Sequence, residues 1–126
     1  MPINVMDAHF RSFTHEVMPV AIKQGIGVLA MKTFGDHFIL SSNTVKPIEA
    51  LHYGLTQPVS VVITGIDSTT VLEQALEAAR TFKPMTQAEI TGLLDRTRVA
   101  ASNGEFELFK TTAHFDGTAA NPKWLG

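Results

Sequence analysis

Apolar positions along the chain change period several times, and each change marks an element. Residues 12 to 24, "SFTHEVMPVAIKQ", carry Phe13, Val17, Val20 and Ala21 at helical spacing, with Ser12 placed to cap the start and Gly25 to end it. Pro19 lies inside that run and predicts a kink or a lost hydrogen bond. Residues 26 to 31, "IGVLAM", are apolar on both faces, which predicts a parallel strand covered on both sides. Residues 36 to 46 read as a loop with an apolar bump at Phe38, Ile39 and Leu40. Pro47 opens a helix, "PIEALHYGL", with Ile48, Leu51, His52 and Leu55 on one face, and Gln57-Pro58 closes it. "VSVVITG", residues 59 to 65, is β-branched almost throughout and gives the strongest strand signal.

Asp67 or Ser68 then caps a helix over residues 69 to 82, whose buried stripe is Val71, Leu72, Ala75, Leu76 and Ala79. "TQAE", Thr86 to Glu89, is a capping box that opens a helix running to about Ser102. The first residues, "MPINVM", read as extended, and residues 105 to 126 as an irregular tail on a single α/β core of residues 1 to 104. Helices alternating with strands imply βαβ crossovers and a parallel sheet. In such sheets ligands bind at the carboxyl ends of the strands. Two such ends are legible, "MKTFGD" after the first strand and "TGIDST" after the second.

Composition narrows the chemistry. The chain has 126 residues, 44% hydrophobic and 17% charged, with a net charge of −2 and no cysteine. That length suits one domain with a modest core. Scattered Lys and Arg form no basic stripe, so no nucleic-acid partner is expected. The absence of cysteine removes disulfides and thiolate metal sites and fits a reducing, cytoplasmic compartment. The longest apolar stretch, residues 26 to 31, is far short of the roughly 20 residues a membrane helix needs. The opening residues also lack the charged and apolar regions of a secretory signal, so no membrane partner is expected. His9, His15, His37, His52 and His114 show no metal-ligand spacing, so no metal is expected.

At the strand ends, Lys32 can pair with a phosphate as a point charge, or simply be a solvated lysine past a strand. Met31 can pad a flat ring or be core. Gly65-Ile66-Asp67-Ser68 turns from strand to helix, where free N–H groups suit an anion; a plain turn and cap is the alternative. The Asp67 carboxylate opposes an anion there and can instead accept from a sugar hydroxyl. His52, on an otherwise apolar face, reads as a hydrogen-bonded core histidine, and Tyr53 as packing. No G-x-G-x-x-G, P-loop or G-x-S-x-G motif is present.

Taken together, "VMPVAIKQGIGVLAMKTFGD" and "PIEALHYGLTQPVSVVITGIDSTTVLEQALEAARTFKPMT", in that order, resemble the C-terminal half of an aldo-keto reductase over most of residues 1 to 100. The resemblance implies part of a TIM-type (β/α)8 barrel, a half barrel of parallel strands and flanking helices. "MPINVM", "GVLAM" and "VSVVI" would be its fifth, sixth and seventh strands, with a short eighth near Phe82 to Met85. It implies an NAD(P)H site in which Met31 packs on the nicotinamide. Lys32, Thr33, Phe34 and Gly35 touch the pyrophosphate, and Gly65, Ile66, Asp67, Ser68 and Gln74 hold the adenosine end.

Two departures bear on function. The adenosine loop carries no basic residue and Asp67 would repel a 2′-phosphate, which leans the expectation toward NADH; Ala75 also stands where the family often has asparagine. The family's catalytic tyrosine, lysine, histidine and aspartate have no counterpart, and a complete barrel needs about 200 residues or more. The chain thus reads as the cofactor-binding half of a carbonyl-reducing oxidoreductase, inactive alone. A non-catalytic interaction or regulatory module is the alternative. An open half barrel exposes edges and an apolar face, so the expected partner is a second copy or a complementing first half, a shortened gene product being a further possibility.

Overall fold

The computed structural model describes residues 1–113 and 116–125, and His114 lies outside the described residues. The fold is built mostly from helices (54%), and among the described residues there are two parallel strands in one small sheet. The expectation of a partial (β/α)8 barrel is therefore corrected. Strand β1 is Leu29–Ala30 and β2 is Val61–Val62, paired in register Leu29 with Val61 and Ala30 with Val62. The extended start adds one further parallel contact, Pro2 with Met31, in which Ile3 N–H donates to the Met31 carbonyl at 3.0 Å. No strand forms near Phe82 to Met85. The long apolar runs do favour extended backbone. A ladder, however, extends only as far as both partners stay in step, and here the pairing spans two residues.

The sheet is also covered on one face only, against the expectation of two. Val28 and Ala30 are buried with Ile3, Met18 and Ala21, and Val59 and Val62 pack on that cluster. Leu29 (50% exposed), Met31 (40%), Val61 (49%) and Ile63 (50%) lie on the opposite side. Strand alternation explains the division, since successive side chains point to opposite faces.

The helices follow their caps. Residues 12 to 24 form two helices, α1 (Phe13–Glu16) and α2 (Met18–Lys23), because Pro19 fits only the first turn of a new helix. The Ser12 hydroxyl accepts from His15 N–H at 3.0 Å, and Gly25 ends α2 at φ +71°. The apolar bump of the expected loop folds as a short helix, α3 (Phe38–Ser41). Helix α4 (Pro47–Thr56) starts at its proline, with Glu49 accepting from the Lys46 N–H at 2.9 Å. Helix α5 (Thr69–Thr81) is capped by Ser68, and α6 (Gln87–Ala101) by the Thr86–Glu89 box.

The second and larger core joins these helices through Ile39, Leu51, Tyr53, Ala78 and Leu93. The tail contributes short helices α7 (Leu108–Thr111) and α8 (Gly117–Ala120). Its residue Phe106 packs on that core, and Glu107 is fully buried.

Candidate functional site

Beyond Ala30 the chain leaves the sheet through a turn with unusual backbone. Lys32 (φ +59°), Asp36 (φ +57°) and His37 (φ +71°) all adopt the left-handed region, which non-glycine residues rarely occupy. The Gly35 N–H donates to the Lys32 carbonyl at 3.0 Å and closes the turn. At the neighbouring strand end, Ile63, Thr64 and Gly65 run out beside it. Between the two lies a cavity of about 220 Å³.

Of the residues expected at a cofactor site, Met31, Lys32, Thr33, Phe34 and Gly65 line this cavity. The two strand ends thus meet in one place. Asp36, His37, Ile63 and Thr64 complete the wall, and sequence reasoning did not single them out. Gly35 does not line it; a Cβ there would sit 2.9 Å from Ile39 Cγ1 and 3.0 Å from the Phe106 carbonyl, so packing demands this glycine. Ile66, Asp67 and Ser68 are exposed and lie outside the wall. Ser68 serves as the α5 cap, accepting from Val71 N–H at 3.3 Å. Gln74 is half-buried on α5 and is also outside the wall.

The electrostatics are mixed. The Lys32 ammonium, on a side chain only 21% exposed, is ion-paired with Asp36. It also lies over the Phe109 ring, 5.9 Å from the centroid. His37 Nε2 stands 3.2 Å from Asp67 Oδ2, which ties the turn after β1 to the loop after β2. The hydroxyls of Thr33 and Thr64 are buried with no hydrogen-bond partner among the described residues. A buried hydroxyl without a partner is costly; these two stand at one cavity, where a polar guest would meet them, while that of Thr14, also without one among the described residues, lies outside its wall. A Cβ at Gly65 would meet no atom within 4 Å, so this backbone is open to close approach.

Other candidates resolve as packing. His52 lies 2.9 Å from the Ala78 carbonyl through Nε2 and meets the Phe82 ring edge-on. Tyr53 is buried, and burial, with the Asp7 charge adding to it, pushes its hydroxyl up to about 12, which suits no proton donor at neutral pH. Among the described residues no group of three His, Asp or Glu is arranged to hold a metal ion, and no helix is long and apolar enough to cross a membrane. Comparison with known proteins finds no matching family model, no matching curated protein and no matching solved structure.

Proposed function

We propose that the cavity between the two strand ends seats part of a nicotinamide dinucleotide, and that the chain is the cofactor-binding portion of an aldo-keto-reductase-like oxidoreductase acting on aldehydes or ketones. The observation that carries this reading is the meeting of Lys32, Gly65 and two unpartnered threonine hydroxyls at one cavity. A cavity of about 220 Å³ is below the usual range of roughly 300 Å³ and more for a whole small-molecule ligand, so one portion of the dinucleotide enters it. The remainder lies along the exposed surface of Gly65 to Ser68.

Lys32 exchanges its Asp36 partner for a phosphate oxygen of the diphosphate. Thr33 and Thr64 donate their hydroxyls, which removes the cost of burying them unpaired. Met31 presents its thioether to the nicotinamide ring. The dinucleotide, when bound, supplies the hydride that passes to the carbonyl carbon. The proton for the carbonyl oxygen comes from a donor outside these 126 residues, so the chain alone reduces no carbonyl. The exposed Asp67 carboxylate would repel a 2′-phosphate laid along the Gly65 to Ser68 loop, which supports NADH over NADPH.

Titrating the chain with each dinucleotide and following nicotinamide fluorescence tests the proposal. NADH should bind more tightly than NADPH, and Lys32→Met should weaken NADH binding roughly tenfold, the scale of one charge-assisted hydrogen bond. Absence of binding by either dinucleotide refutes the site, and tighter NADPH binding refutes the specificity. The exposed apolar sheet face favours a second reading, a non-catalytic interaction module; that reading gains if neither dinucleotide binds while the chain associates through this face.

A further inference from the structure

Behind the lysine turn lies a buried charge cluster that the cavity does not use. Asp7 and Glu107 are fully buried, and the Lys110 side chain is 3% exposed. Lys110 Nζ sits 2.7 Å from Asp7 Oδ1 and 3.0 Å from Glu107 Oε1, and donates to the Phe10 carbonyl at 2.7 Å. Asn4 connects this cluster to the cavity. Its Oδ1 accepts from the N–H groups of Met6 (2.8 Å) and Asp7 (2.9 Å). Those two donors fix which way the amide points, because a reversed amide would set its own N–H groups against them. Nδ2 therefore faces the other way and donates to Glu107 Oε1 at 3.0 Å and to the Lys32 carbonyl at 3.3 Å.

We propose that Asn4, held by Glu107, is a positioning residue for the Lys32 turn, so that the tail builds the cavity wall from behind. The functional consequence rests on the dinucleotide reading, whereas the positioning stands on the geometry alone. Lys32 has a left-handed backbone that a lysine does not choose unaided. Its carbonyl is gripped from two directions, by the Gly35 N–H and by Asn4 Nδ2. Its ammonium lies over Phe109, so the tail reaches both ends of the same residue. Removing the Glu107 acceptor leaves one Nδ2 hydrogen unpaired in a buried place and loosens the hold of Nδ2 on the Lys32 carbonyl, although Met6 and Asp7 still anchor Oδ1.

Hydrogen exchange on the 126-residue chain tests this through two conservative variants. Glu107→Asp keeps the charge beside Lys110 but withdraws the acceptor from Asn4; Glu107→Gln keeps the reach and an acceptor oxygen. The Gly35 amide, bonded to the Lys32 carbonyl, reports on the turn, and the Ala50 amide, bonded to the Lys46 carbonyl in α4, is the internal reference. Glu107→Asp should speed Gly35 exchange about tenfold relative to Ala50, and Glu107→Gln by no more than about threefold. Equal acceleration at both amides, no selective change, or equal behaviour of the two variants overturns the proposal. An NADH titration of the same wild-type chain separates the two ideas. Selective exchange without NADH binding upholds the positioning and refutes the dinucleotide reading.

Discussion

Lys32 leaves the sheet at its rim, on a left-handed backbone, with its ammonium beside Asp36 and over an aromatic ring. A lysine after an apolar strand is tolerable because the side chain remains partly exposed and finds charge and π partners within reach. The buried carboxylate of Glu107 is a harder case. Burial pushes its pKa above the usual carboxylate range, and the Lys110 ammonium and the Asn4 hydrogen bond pull it down without cancelling the rise; Asp7 adds to the rise. A raised folded-state pKa means that the native state holds its proton more tightly than the unfolded chain. The stability this contributes is present below about pH 4.5 and is lost as pH rises through the higher folded value. Glu107→Gln removes that loss. Urea denaturation should show the variant gaining stability relative to the wild type as pH rises from below 4.5 to neutrality. A constant difference across that span contradicts the raised pKa of Glu107.

Among the elements, helix α6 depends on its start. The Thr86 hydroxyl accepts from Glu89 N–H at 3.3 Å while Glu89 Oε2 accepts from Thr86 N–H at 2.7 Å. Thr86→Ala should cost about 1 kcal/mol, read as a lower urea midpoint with an unchanged slope. Such caps made the helices legible, since Ser12, Pro47, Ser68 and Thr86 each act through neighbours within three residues. The strands were less so. An apolar run such as residues 26 to 31 reports that side chains avoid water but does not name what covers them, and Leu29 and Val61 remain half exposed. Half of the site was likewise legible. The rule that ligands meet strand carboxyl ends led to Met31, Lys32 and Gly65, and the family resemblance added Thr33 and Phe34. Asp36 and His37 enter the wall through left-handed turns that no periodicity signals. Glu105 and Glu107 read from the sequence as solvated tail carboxylates, and for Glu107 this is corrected: it is fully buried, held by its distant partner Asn4.

At the scale of the whole molecule, a short two-stranded sheet with Leu29, Met31, Val61 and Ile63 on one open face is a poor end state for a chain in water. The chain should sediment as a dimer or larger assembly, and Val61→Lys should shift it toward monomer. A wild-type monomer that melts cooperatively contradicts a partner on that face. The proposed dinucleotide site is more local, at the adjoining ends of β1 and β2. Titration of the isotope-labelled chain with NADH, followed by amide NMR, tests it most directly. Amides of Lys32 to Gly35 and of Thr64 to Ser68 should shift together along one saturating curve, with α6 silent. Shifts confined to one strand end, or centred elsewhere, would contradict it.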